Sequence, residues 1–245
     1  MNYDSVFSKN HLKLILSLQA KKVRREKKLF VVETPKVLRE FISENFDIMF
    51  LFTTENGHYA SHSKAVIISN EQLKKSSSLD SPQECIAILK MKSVPKGKGS
   101  WSMILDRIQD PGNVGALIRL ADWFGADWVA IPPGTVDPFS SKVVQSSMGS
   151  LARVPLFIEN DLVLNSLLYE EKRIVVVADM DGKSPKEALA FKKGCLILGN
   201  EGNGPSDFWK KRCDHSVTIN RVEGSQTESL NVATAAAILL YEINS

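Results

Sequence analysis

Residues 195–242 read CLILGNEGNGPSDFWKKRCDHSVTINRVEGSQTESLNVATAAAILLYE, and the fold is decided there. A short apolar run, residues 195–198, has the length of a buried strand and breaks on a glycine-rich turn, Gly199-Asn200-Glu201-Gly202-Asn203-Gly204. Pro205 predicts a helix start, in the first-turn position where its missing N–H costs nothing. A second run, residues 217–219, leads into a polar loop over 220–228. A long apolar helix then begins near Ser229-Leu230-Asn231. Two strand-to-turn junctions, each dense in Gly, Asn, Ser and Glu, predict two loops that meet at one small-molecule site. Spacing alone reaches an α/β protein with a ligand and no further.

Upstream, strand and helix alternate: strands at 101–105, 128–131 and 174–178, helices at 113–123, 142–147, 161–171 and 184–191. Short β-rich runs between helices predict a mostly parallel sheet covered on both faces. Ligands on such sheets sit beyond the carboxyl ends of the strands. Three loops there carry the chemistry. In the first, Asp106-Arg107-Ile108-Gln109-Asp110-Pro111-Gly112-Asn113, Pro-Gly makes a turn and Asn113 is placed to cap a helix. Arg119 follows about a turn and a half along that helix. An always-charged fork among Leu117, Ile118, Leu120 and Ala121 calls for a phosphate or carboxylate, or for a structural ion pair with Asp122. The second loop runs GxxGxG, the reverse of a dinucleotide fingerprint, and exposes Glu201 between glycines. Asp181-Gly182-Lys183-Ser184 imitates the end of a P-loop, but Val177 stands where its first glycine is required, so a turn is expected. In the third loop Ser229 can cap the final helix, and Asn231 in its first turn would be costly if buried without partners.

Val94-Pro95-Lys96-Gly97-Lys98-Gly99-Ser100 cannot build a core element and reads as a linker. Residues 1–93 then form one domain and 101–245 another. The first reads as a small α/β unit, with helices over 9–19 and from Thr34-Pro35, and strands at 29–32, 48–52, 65–68 and 85–89. Lys21, Lys22, Arg24, Arg25, Lys27 and Lys28 crowd one short segment, either gripping phosphates or forming a solvated helix end. Residues 1–100 hold 17 Lys and Arg against 10 Asp and Glu, and the remainder 14 against 18. That asymmetry tilts the basic segment toward a phosphate-rich partner. His58 and His62 read as loop surface.

A chain 43% hydrophobic and 24% charged is globular rather than disordered. Its start lacks the basic-then-apolar layout of a signal peptide, and its most apolar helix is too short for a bilayer, which needs about 20 residues. Cys85, Cys195 and Cys213, odd in number and widely spaced, read as reduced thiols of a cytoplasmic protein. No metal site is expected, because Cys213-x-His215 stands alone.

DPGNVGALIRLADWFGAD, LILGNEGNGPS and TINRVEGSQTESLNVATAAAILLYE resemble, in order, the three signature motifs of the SpoU (TrmH) family, S-adenosylmethionine-dependent RNA 2′-O-ribose methyltransferases of the SPOUT superfamily. The likeness covers nearly all of residues 101–245. KVVQSSMGSLARVPLF (residues 142–157) is similar to a fourth family stretch, whose Ser147–Gly149 equivalent lies near the active site. Residues 9–53 resemble the substrate-binding domain that many members carry in front, with Glu33-Thr34 where Glu-Gly is usual.

The resemblance implies a deep trefoil knot in the C-terminal domain, against the usual rule of unknotted connections. It implies a bent S-adenosylmethionine held by Leu198, Gly199, Gly202, Ile219 and Leu230, and a homodimer. It gives catalytic or orienting places to Asn113, Arg119, Glu201, Ser229 and Asn231. Arg119 matches an arginine often assigned as general base. A guanidinium that stays protonated suits a phosphate clamp better, though proton abstraction is the competing role. The appended N-terminal domain favours ribosomal over transfer RNA as substrate. A non-catalytic RNA-binding module is the rival reading, and the glycine order argues against a nucleotide-dependent dehydrogenase.

Overall fold

The computed structural model describes residues 6–185, 192–224, 226–227 and 229–244. The helix expected over 184–191 falls, but for its first two residues, outside them. The chain folds as two compact units: one joins the chain up to Ser93 with Asp137–Ala152, the other joins Val94–Val136 with the chain from Arg153 onward.

In the first unit the order is α1 (Lys9–Ser17), α2 (Lys21–Lys27), β1 (Leu29–Val32), α3 (Pro35–Ser43), β2 (Ile48–Thr53), β3 (Ala65–Ile67), α4 (Asn70–Ser76) and β4 (Cys85–Lys90). The sheet order is β1-β4-β2-β3, with β4 antiparallel to both neighbours and β2 parallel to β3. Thr34 caps α3 and Pro35 opens it, as expected. Helix α4 was not anticipated, although Ser69 and Gln72 form a reciprocal capping box at its start. Ile15, Leu18, Val31, Phe52, Ile86 and Ile88 fill the core between sheet and helices.

The second unit runs β5 (Trp101–Leu105), α5 (Pro111–Trp123), β6 (Val129–Ala130), then, after α6 (Ser141–Ser146) of the inserted segment, β7 (Leu156–Phe157), α7 (Asp161–Glu170), β8 (Ile174–Lys183), β9 (Gly194–Leu198), α8 (Asp207–Lys210), β10 (His215–Val217) and α9 (Val232–Asn244). All six strands are parallel, in the order β10-β8-β9-β5-β6-β7. The central strands β5 and β9 are buried along their whole length, which is why they read as nearly continuous apolar runs, broken in β5 only by buried Ser102.

Several expectations need correction. Asp181–Lys183 ends strand β8 rather than making a turn, because Gly182 lets the backbone press on Val217, where a Cβ would lie 2.4 Å from the carbonyl carbon. Pro205 stands before Ser206, the N-cap of α8, not inside the helix. The 94–100 stretch packs with the second unit: Gly97 N–H donates to the Asp127 carbonyl at 3.0 Å, and a Cβ on Gly99 would strike the Gly125 carbonyl. The inserted segment 137–152 belongs with the first unit. There α6 lies on β1, Phe139 sits 5.2 Å from Phe30, and Gly149, at φ +96°, leaves room for Glu40. Its anchor is Asp137, which takes the Nε (2.8 Å) and Nη2 of Arg24.

At the amino-terminal edge of the parallel sheet, Arg173 binds Asp127, Glu171 and the Ser100 carbonyl, and Lys96 also reaches Glu171. Burial alone would raise the Glu171 carboxyl, but the hydrogen bonds from Lys96 and Arg173 outweigh it and hold the group down to about 2. Cys85 and Cys195 are buried free thiols, and burial pushes Cys85 up to about 12. Among the described residues no helix is long and apolar enough to cross a membrane.

Candidate active site

The carboxyl ends of β5, β9 and β10 release three loops, and side chains of the first two clasp each other close to the sheet. Asp106, 1% exposed, accepts the Ser206 amide at 2.6 Å, and its own amide donates to the Leu198 carbonyl. Asn200 donates from Nδ2 to the Arg107 carbonyl (3.0 Å) and accepts the amides of Gly202 and Asn203 on Oδ1. Asn200 and Gly204 also exchange backbone hydrogen bonds, which closes the glycine loop into a tight hairpin. Gly199 admits no side chain, since a Cβ would fall 2.1 Å from the Pro205 nitrogen.

The cap of α5 is Asp110, not Asn113: Asp110 accepts the Asn113 amide at 2.7 Å, with Pro111 in the first turn. That frees the Asn113 carboxamide for longer-range work. Its Nδ2 donates to Glu201 Oε1 (2.8 Å) and its Oδ1 accepts from Asn231 Nδ2 (2.9 Å). Asn231 in turn caps α9, accepting the amides of Ala233 (2.9 Å) and Thr234 (3.3 Å). The capping role expected of Ser229 thus belongs to Asn231, and exposed Ser229 holds no hydrogen bond among the described residues. Asn113, Glu201 and Asn231, from three loops far apart in sequence, form one continuous chain.

Arg119 is exposed and has no hydrogen-bond or ion-pair partner among the described residues. The structural pair considered for it does not form, because Asp122 is held by the guanidinium of Arg153, at 3.1 Å from Nε and 2.8 Å from Nη2. Of the expected cofactor residues, Gly199 is buried and directly follows β9, whose register against β8 turns its amide toward the Ala178 carbonyl; the backbone groups of Ile219 and Leu230 have no partner among the described residues. The Leu198 carbonyl and the Gly202 amide are already engaged within the loops.

In the first unit, Lys21, Lys22, Arg25, Lys27 and Lys28 are exposed on or just after α2. Arg24 does not share that surface. It is 4% exposed, with Nη1 on the carbonyls of Leu18 (2.7 Å) and Gln19 (2.8 Å) and the rest of its fork on Asp137. The phosphate-gripping role expected of Arg24 is therefore withdrawn: one residue of the basic run points inward and is consumed by structure. No group of three His, Cys, Asp or Glu side chains among the described residues could hold a metal ion.

Sequence reasoning passed over Asp106, Asp110, Asn200 and Arg153. Asp110-Pro111 did carry a signal, since an acidic N-cap directly before a first-turn proline is a helix-start signature. For the other three, the partner lies 31 to 100 residues away and nothing local announces it.

Residues 100–241 match the SpoU rRNA Methylase family, and residues 9–87 match the MRM3-like substrate binding domain. The chain is 28% identical over 231 residues to the 23S rRNA (guanosine(2553)-2′-O)-methyltransferase RlmP of Bacillus subtilis, with 92% of each protein covered. A solved structure from Porphyromonas gingivalis, described as a proposed RNA methyltransferase of the TrmH family, is 33% identical, with a TM-score of 0.84 across 97% of this chain and 98% of that one. An AdoMet-bound rRNA methyltransferase from Sinorhizobium meliloti is 25% identical, with a TM-score of 0.84 and coverage of 98% and 96%.

Proposed function

The chain belongs to the SpoU rRNA methylase family, and from that premise we propose that it methylates a ribose 2′-hydroxyl of ribosomal RNA, with S-adenosylmethionine as donor. One observation carries the reading most directly. Arg119, without a hydrogen-bond or ion-pair partner among the described residues, stands on the same helix whose Asn113 joins Glu201 of the second loop to Asn231 of the third.

The residues fit the donor. The Gly199 carbonyl and the backbone groups of Ile219 and Leu230, without partners among the described residues, suit the donors and acceptors of an adenosine, with Leu198 and Gly202 shaping the loop around it. Bound S-adenosylmethionine supplies an activated methyl group that needs no metal. The chain's own task is to hold the 2′-oxygen in line at near-attack distance. We assign Arg119 to the phosphate beside the target ribose, where a guanidinium, which stays protonated in proteins, steadies developing charge. Asn113, Glu201 and Asn231 hold the three loops in register, and exposed Ser229, without a hydrogen bond among the described residues, meets the substrate.

Residues 1–93 act as the RNA-binding domain, with Lys21, Lys22, Arg25, Lys27 and Lys28 on phosphates and 94–100 joining it to the methyltransferase domain. The match to the MRM3-like substrate binding domain supports this. The C-terminal chain forms a deep trefoil knot, consistent with fold similarity to solved family members. The active form is a homodimer, for which the large exposed side chains Trp123 of α5 and Ile238 and Tyr241 of α9 supply apolar surface. A ribosomal RNA substrate supports a cytoplasmic location.

The test is Arg119→Ala. Methyl transfer from labelled S-adenosylmethionine into unmodified 23S rRNA should fall about 10²-fold or more, the scale of losing one aimed donor. Calorimetric S-adenosylmethionine affinity should stay unchanged. If transfer and cofactor binding disappear together, the assignment of Arg119 to the RNA side fails.

A further inference from the structure

Arg107, in the first loop, is held in a way its neighbours explain poorly. Its φ is +59°, in the left-handed region that residues with a side chain seldom adopt. Glycine, or failing that asparagine, is the residue such a position favours. The surrounding chain nevertheless accommodates arginine. Asn200 spends its Nδ2 on the Arg107 carbonyl, and Gly134, at φ +95°, leaves space for the stem: a Cβ there would come within 2.9 Å of Arg107 Cγ.

The head group is barely used. Nε lies 3.3 Å from Asp106 Oδ1, while Asp106 Oδ2 is already satisfied by the Ser206 amide. The two Nη groups donate no hydrogen bond among the described residues, and the side chain is 44% exposed. Asp161, the other nearby carboxylate, is occupied by the Trp209 indole N–H at 3.0 Å. Neutralising Asp106 would need one N–H of the five a guanidinium offers. What remains is a planar two-nitrogen fork at the carboxyl ends of the parallel strands, the side of the sheet where ligands sit.

We propose that Arg107 is a second RNA-binding residue of the active-site face, its Nη pair taking a phosphodiester of the substrate. Planar, bidentate recognition of phosphate is the chemistry that selects arginine over lysine. The proposal rests on the functional reading above, since it takes RNA as the substrate.

The backbone conformation provides an unusually clean test. Arg107→Gly and Arg107→Asn both tolerate a positive φ, so each removes the guanidinium while leaving the Asn200 clasp in place. Binding to an unmodified 23S rRNA transcript is measured across a salt series, with S-adenosylmethionine affinity measured by calorimetry in parallel. Both variants should bind the cofactor as the wild type does. Their RNA affinity at low salt should drop roughly five- to tenfold, and the slope of log K against log salt should flatten by about 0.7–0.9, the loss of one phosphate contact. Arg107→Lys, which keeps the charge, should restore most of the slope. Unchanged slopes in both the glycine and asparagine variants would overturn the proposal. So would loss of cofactor binding and thermal stability together, which would make Arg107 a loop-holding residue. A wild-type protein that binds the transcript but transfers no methyl group would sink the functional reading and leave the Arg107 comparison intact.

Discussion

Replacing Arg24 with alanine should damage this protein far more than removing a surface cation. Arg24 and Asp137 are 4% and 6% exposed, and the guanidinium also satisfies the carbonyls of Leu18 and Gln19. Alanine would leave a buried carboxylate without its counter-ion and two carbonyls without donors. Breaking a buried pair by removing one partner costs about 3–5 kcal/mol, against roughly 0–1 kcal/mol for an exposed pair. Urea unfolding of Arg24→Ala should therefore show a midpoint lowered by that difference, at constant slope. The paired change Arg24→Met with Asp137→Leu removes both charges and should recover most of the loss, leaving the two carbonyls as the residual cost. It should also leave the salt dependence of RNA binding as in the wild type, since no phosphate-facing charge has gone. A midpoint shift worth less than about 1 kcal/mol for Arg24→Ala would refute the burial argument. A shallower salt slope in the double variant would return Arg24 to the RNA surface.

Asp110→Ala should lower stability by about 1 kcal/mol, the usual value of an N-cap, or about 2–4 °C in Tm for a chain of this size. Asn113→Ala should lower stability by no more than one N-cap, about 1 kcal/mol, through the loosened Asn231, while methyl transfer falls steeply because its side chain ties the three loops together; calorimetry and transfer assays on the pair separate the two. Acid sensitivity should come partly from Glu171. Its folded pKa of about 2 lies below the unfolded value of about 4.3, so its contribution is full above pH 5 and disappears as pH falls toward 2. Stability measured across that window should fall less steeply in Glu171→Gln, and an identical pH profile would count against the Lys96 and Arg173 contacts.

The parallel sheet and the three loops beyond its carboxyl ends were legible because their signals are local: nearly continuous apolar runs for β5 and β9, and glycine or asparagine at each turn. The meeting of Asn113, Glu201 and Asn231 followed from putting loops at the same ends of parallel strands, and it was found. What stayed hidden depends on distant partners. Arg24 looks like its five basic neighbours until Asp137, 113 residues away, is folded onto it. The return of 137–152 to the first unit has no local mark either, since a helix such as α6 reads the same whichever sheet it covers. Asp181-Gly182-Lys183 looked like a turn because glycine usually signals one, whereas here it permits the close approach of another strand.

The linked carboxamides have a direction. A carboxylate can only accept, so Glu201 compels Asn113 to turn its nitrogen outward, which presents an oxygen to Asn231 and obliges that side chain to do the same. The last oxygen in line then greets the peptide amides that begin the terminal helix. Polarity is thus inherited from one end to the other: were the acid exchanged for a group able to donate, both amides could rotate, and the final helix would lose the acceptor on which it is seated.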